Sequence, residues 1–372
     1  MKLKNNYNEC LTNLACSISK YFGSSYKHNT IDYIDKLLEE KKPKNVVTIL
    51  LDGMGNSLLD KHLTKDSFFI KNRIKSISTV FPATTVAATT SMRTGLNPCE
   101  TGMLGWTMYF DECDDTIVTF AKSSKGDEDN KVLDNATEYI NKYLTQKEVT
   151  DRINEETKFK GYKVTPFDDQ KYTDLDDMFN KIENLCNINE KKYIYSYYDE
   201  LDHTLHDLGT DNSEIKNIIV NMQERVYKLA QKLNDTLIFV IADHGHLNAE
   251  NIFLENYQDL LDCLEKLPSI EPRTTAFFVK NNMKKTFEYL FEKYFGNYFY
   301  LFTKSEIINM KLFGDGEENK KFRSELGDYI AISYTKKAFI YKGDYPLTSQ
   351  HAGYSDEEVY IPLIVVDSNE VK

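Results

Sequence analysis

Four short apolar runs set the frame for this chain: "NVVTILL" (45–51), "YIYSYY" (193–198), "TLIFVIA" (236–242) and "IPLIVV" (361–366). Each is too short for an ordinary helix and is rich in β-branched or aromatic residues, so each is read as a strand buried on both faces. Helical patterns lie between them. The clearest spans 212–233, where Ile215, Ile218, Met222, Val226, Leu229 and Leu233 fall on one face. Buried strands alternating with helices imply an α/β fold: a three-layer α/β/α sandwich around a mostly parallel sheet. Sheets of this kind bind ligands beyond the carboxyl ends of their strands.

The 372 residues exceed what one small core needs and leave room for an insertion. The stretch 247–350 reads differently from the rest. Its "EPRTTAFFVKNNMKKTFEYLFEKYFGNYFYLF" has a strand–helix–strand pattern rich in aromatics. We read 247–350 as an inserted α+β subdomain or cap, and 1–246 with 351–372 as the catalytic core. "SSKGDEDNK" (123–131) reads as a surface loop, and Arg273 as one half of a surface ion pair. A formal net charge of −12 argues against stable binding to nucleic acid. A small anionic substrate would need local positive charge from metal ions or a few Lys and Arg. The amino-terminal apolar residues are broken by Asn, Thr and Ser, unlike a signal peptide, and no stretch has the apolar length of a membrane segment. The six cysteines are scattered without paired spacing and are read as reduced thiols of a cytoplasmic protein.

Ionisable residues stand at the predicted strand ends. Asp52-Gly53 follows the first strand, Asp202 and His206 follow the second, Asp243-His244 follow the third, and His351 stands just ahead of the fourth. Carboxylate oxygen and imidazole nitrogen are the usual ligands of catalytic zinc. Two such ions can clamp the attacking and leaving oxygens of a phosphoryl transfer. Residues four apart share a helix face, which suits Asp202 and His206. Gly245 permits the turn that Asp243 and His244 need to face one ion. Singly, each cluster reads as readily as a turn or a solvated group. Their coincidence at strand ends argues for a site. Spacing alone leaves His203 open as the partner of His206, and His246 as a substitute for His244.

The segment "STVFPATTVAATTSMRTGLNP" (78–98) supplies hydroxyls at the start of a predicted helix beginning near Thr85. Free N–H groups at a helix start attract phosphate oxygens. Either Thr84 or Thr85 could be a nucleophile there, or simply an N-cap.

These motifs, in this order, resemble the nucleotide pyrophosphatase/phosphodiesterase family of the alkaline phosphatase superfamily. "LLDGMG" is similar to its first metal motif, and "VFPATTVAATTSMRTGLNPCETGMLGW" to its nucleophile segment, which places the nucleophile at Thr85. "LDHTLHDLG" selects Asp202 and His206, "ADHG" selects Asp243 and His244, and "QHAGYS" gives His351. The resemblance implies an alkaline phosphatase-like core and two divalent metal ions, zinc or manganese. One would be held by Asp202, His206 and His351, the other by Asp52, Asp243 and His244. It implies a hydrolase that cleaves phosphodiester or pyrophosphate bonds, of nucleotides or similar small phosphorylated substrates, through a phosphothreonine. The alternatives are a phosphomonoesterase or phosphonate hydrolase of the same superfamily, or a catalytically silent metal-binding protein. Monoesterase relatives commonly use serine, so threonine favours diesters. Thr89, Trp106 and Tyr109 are expected to contact substrate, the two aromatics by stacking on a base.

Overall fold

The computed structural model describes residues 4–127, 131–342 and 344–371. Its central sheet has six strands, in the order Arg73–Ser78, Tyr360–Asp367, Thr236–Ile241, Asn45–Leu51, Lys192–Tyr198, Lys160–Val164. The interior strands are apolar on both faces because both faces are covered; every residue of Asn45–Leu51 and of Thr236–Ile241 is buried. Helices Leu11–Phe22, Asp32–Lys41, Thr85–Thr94 and Val149–Glu156 pack together as one flanking layer. Asn56–His62, Leu175–Asn187, Glu200–Leu208 and Ser213–Lys232 form the other. The chain is the three-layer α/β/α sandwich that its apolar runs imply.

Strand direction brings the site together. Asn45–Leu51 is parallel to both of its neighbours, with Leu51 opposite Tyr198 and Leu50 opposite Ile241. The segments after these three strands therefore leave from one edge. Tyr360–Asp367 runs antiparallel to both of its own neighbours. Its amino end thus lies at that same edge, and so does the His351 segment preceding it. Had this strand been parallel, His351 would sit at the opposite end of the sheet.

A second sheet is antiparallel throughout, in the order Phe299–Thr303, Tyr329–Ser333, Thr274–Phe277, Ser269–Ile270, Thr107–Phe110, Asp115–Val118, Ser123–Ser124. The segment 247–350 therefore does not enclose this sheet, because three of its strands come from 107–124. The join is a single residue pair, Ile270 opposite Thr107, which no local pattern could announce. Of the predicted loop 123–131, Ser123–Ser124 is the edge strand, and residues 128–130 lie outside those described. Phenylalanines of 271–302 build the core of this unit, with Phe277, Phe287 and Phe291 in mutual ring contact and Phe295 against Phe291. Arg273 differs from the sequence reading. It is fully buried, bonded to Glu358 at 2.6 Å and to the carbonyls of Thr335 and Lys337. A buried guanidinium needs this full set of acceptors.

Candidate functional site

Asp52 leaves Asn45–Leu51 directly, its N–H donating to the Tyr198 carbonyl at 2.9 Å. Asp202 and His206 lie one turn apart on helix Glu200–Leu208, and His203 points elsewhere, exposed and bonded to the Asp199 carbonyl. Asp243 and His244 follow Thr236–Ile241. Asp243 Oδ1 accepts from the Gly53 N–H at 3.1 Å and its own neighbour's N–H at 2.9 Å. The His244 and His351 rings stack with centroids 3.9 Å apart.

The donors fall into two groups. Asp52, Asp243 and His244 form one; Asp202, His206, His246 and His351 form the other, with the donor atoms of each group mutually within 4.8 Å. Two observations test whether these residues suit cations. Asp243 Oδ2 is buried and has no hydrogen-bond partner among the described residues. The imidazoles also have their far nitrogens occupied: Nδ1 of His206 meets the Ser349 carbonyl at 2.9 Å, that of His351 the Ala83 carbonyl at 3.2 Å, and that of His244 the Gly245 carbonyl at 3.3 Å. A carbonyl can only accept, so each Nδ1 carries a proton, and in the neutral ring each Nε2 presents a lone pair. This is the arrangement that orients metal-binding histidines. The residues fit.

The electrostatics agree. Burial pushes the Asp52 carboxyl well above its ordinary range, and the Asp243 and Asp202 charges push it further. Burial also raises Asp243, although His244 opposes it. For Asp202, burial works against the charged form, but His206 and His246 hold it well below the usual range. Burial, reinforced by His244, lowers His351 far below an ordinary imidazole. Clustered carboxylates this deep call for positive charge from outside the chain.

Thr85 opens helix Thr85–Thr94 beside the group of Asp52, Asp243 and His244. Its hydroxyl lies 3.1 Å from His244 Nε2 and 3.4 Å from Asp52 Oδ2. Thr84 is separated from them, since its hydroxyl donates to Glu271 at 2.5 Å. Neither makes a side-chain N-cap bond at this helix, Thr84 being the N-cap.

A model of the family described as type I phosphodiesterase / nucleotide pyrophosphatase matches residues 46–353. The chain belongs to that family. Among solved structures, this phosphodiesterase-family chain is similar to murine ectonucleotide pyrophosphatase / phosphodiesterase 5, at 17% identity over 86% of this chain and 87% of that one, TM-score 0.64. The human counterpart matches at 16% identity over 86% and 87%, TM-score 0.66. Phosphonoacetate hydrolase from Sinorhizobium meliloti 1021 matches at 14% over 87% and 90%, TM-score 0.63. Likeness at these identities speaks for the fold alone. No curated protein matches the chain significantly.

In this family member a cavity of about 1020 Å³ opens beside Thr85, and Thr89, Trp106, Phe120, Phe167, Tyr197 and Glu271 are among its walls. The Thr89 hydroxyl donates to the Thr85 carbonyl at 2.7 Å, one turn back. Tyr109 lies away from this cavity. Its hydroxyl donates to Asp114 at 2.6 Å, and Lys266 covers its ring at 3.7 Å. Thr107 also lines the cavity, whereas Tyr109, two residues further along Thr107–Phe110, does not.

Three site residues escaped the sequence reading. Spacing offers His246 only as a substitute for His244, yet it joins Asp202, His206 and His351 while His244 joins Asp52 and Asp243. Tyr197 donates to Asp52 Oδ2 at 2.5 Å, and a tyrosine inside an aromatic strand gives no sign of this. Glu271 accepts from Thr84 and from the Trp106 N–H at 2.7 Å, and burial pushes its carboxyl up to about 7.

Proposed function

We propose that this protein is a metal-dependent hydrolase of phosphodiester or pyrophosphate bonds in small nucleotide-like substrates, acting through a phosphothreonine at Thr85. The observation that carries the reading is the place of Thr85 Oγ1, within 3.5 Å of both Asp52 and His244 and lining a large cavity. Asp202, His206 and His351 would hold one divalent ion, and Asp52, Asp243 and His244 the other, zinc or manganese. When bound, such ions offset the charge that builds on the phosphoryl oxygens and lower the pKa of a neighbouring hydroxyl.

The chain's own groups do the rest. Thr85 gives its proton to a solvent base, Oγ1 bonds to phosphorus, and the leaving oxygen departs with the electron pair of its broken bond to phosphorus. Water then attacks the phosphothreonine, and Thr85 leaves and regains a proton. N–H groups at the start of helix Thr85–Thr94 lack intrahelical partners and can meet phosphoryl oxygens. Tyr197 holds the Asp52 carboxylate in orientation. Two in-line displacements predict retention at phosphorus.

Positive charge from the chain is already committed. Arg93 and Lys125 are the basic side chains lining the cavity among the described residues. Arg93 is paired with Glu148 at 2.7 Å, and Lys125 with Asp344 at 3.0 Å. An anionic substrate therefore needs bound cations.

Hydrolysis of p-nitrophenyl thymidine monophosphate, bis-p-nitrophenyl phosphate, p-nitrophenyl phosphate and phosphonoacetate, each with and without chelator, tests the reading. We expect chelator-sensitive turnover, fastest on the diesters. Thr85→Ala should lower kcat by about 10³-fold or more, as expected for loss of a covalent nucleophile, with metal content unchanged. Wild-type rates in that variant would remove Thr85 from the mechanism. Preference for p-nitrophenyl phosphate or phosphonoacetate would move the assignment to a monoesterase or a phosphonate hydrolase.

A further inference from the structure

The two donor groups are not equivalent, and His246 makes the difference. Its ring is buried, with centroids 4.9 Å from His206 and 5.2 Å from His351. Nδ1 lies 3.0 Å from Ser349 Oγ, and that hydroxyl donates to the Leu205 carbonyl at 2.6 Å. A serine hydroxyl has one proton. Ser349 gives it to Leu205, so toward His246 it can only accept. The proton of His246 therefore sits on Nδ1, and Nε2 presents a lone pair. That lone pair faces Asp202 Oδ1 at 2.6 Å. With no cation bound, a second proton on the ring can bridge the two atoms, and a bound cation would displace it. Space for the ring comes from Gly53, where a Cβ would stand 3.0 Å from His246 Cδ2 and 3.1 Å from Nε2.

We propose that His246 Nε2 is a fourth protein donor to the cation held by Asp202, His206 and His351, with Ser349 fixing its tautomer. The inference rests on the two-cation reading above and deepens it. The first site then has three imidazoles and one carboxylate, against one imidazole and two carboxylates in the second. Imidazole suits zinc and its neighbours in the transition series, whereas carboxylate oxygen also suits magnesium and manganese. The first site therefore holds zinc more tightly and more selectively than the second. With four protein donors present, a substrate oxygen can join that ion only by expanding its coordination beyond four.

Metal-free full-length protein titrated with zinc against a chromophoric chelator, and with cobalt(II) followed by visible absorption, tests this without any assay of activity. Wild type should bind two ions, one at least tenfold tighter than the other. His246→Ala should weaken the tight ion by about 100-fold or more, leave the weaker one unchanged and alter the cobalt spectrum. Ser349→Ala keeps the ring and removes only its proton acceptor. It should weaken the tight ion by about tenfold, and it carries the test if His246→Ala fails to fold. Two ions bound by both variants with wild-type affinities and spectra would overturn the role of His246 and leave the two-cation reading standing. A wild-type protein that binds neither ion would overturn both.

Discussion

Glu325 shows what burial does to one carboxyl far from the donor clusters. It is 1% exposed, and its Oε2 has no hydrogen-bond partner among the described residues. Burial raises its carboxyl to about 8, and Lys321 only partly opposes this. The sign follows from proton binding. Between about 4.5 and about 8 the folded chain keeps a proton that the unfolded chain has lost, so stability falls as pH rises through that window and levels off above it. Glu325→Gln has no proton to lose. Near pH 4.5 it should match wild type, and near pH 9 it should exceed it by on the order of 4 kcal/mol. Urea midpoints at these pH values check this; a constant difference would mean the carboxyl titrates normally. At this scale the sequence was legible where chemistry and position coincide. Asp52, Asp202, His206, Asp243, His244 and His351 stand next to strand ends, and the structure brings them together. Tyr197, Glu271 and Glu325 gave no signal, because their roles come from neighbours distant along the chain.

The wholly apolar strands were readable for a physical reason: a strand covered on both faces has no polar face to confuse the pattern. The short strands Thr107–Phe110, Asp115–Val118 and Ser123–Ser124 mix polar and apolar residues and were not readable as part of a sheet. Turns after Asn45–Leu51 and Thr236–Ile241 carry Asp52, Asp243 and His244, and backbone packing holds them. Gly55 and Gly245 meet where two of these turns cross. A Cβ on Gly245 would stand 2.0 Å from the Glu357 carbonyl oxygen, and one on Gly55 would stand 2.5 Å from Gly245 Cα. Both obstacles are backbone and cannot rotate away. Gly245→Ala should therefore cost about 2–4 kcal/mol in a urea unfolding series and weaken the cation at Asp243 and His244. Gly23→Ala is the comparison. Its φ of +76° is left-handed, but a Cβ there meets nothing within 4 Å. It should cost only about 1–2 kcal/mol and leave metal affinity unchanged. Equal effects from the two substitutions would refute the crossing-turn account.

The central sheet brings the donors and Thr85, while the second sheet and its neighbouring segments bring Trp106, Phe120, Ile270 and Glu271. The cavity thus combines a charged floor with walls that are largely apolar. Trp106 is 46% exposed and meets Phe120 edge to face at 6.3 Å. An indole this exposed at a cavity wall has a free surface on which a base can lie, whereas Tyr109 has its ring covered by Lys266. This division of labour predicts a separation of kinetic effects. Trp106→Ala should raise KM for p-nitrophenyl thymidine monophosphate by about fivefold or more, since stacking one base contributes about 1 kcal/mol or more. It should leave kcat within about twofold, because binding lost equally from ground and transition states leaves the chemical step alone. Methyl p-nitrophenyl phosphate has the same leaving group and no base, so its KM should not move. If both substrates lose affinity alike, Trp106 supports the cavity wall without recognising a base. If neither does, the base lies elsewhere and the apolar wall serves a different part of the substrate.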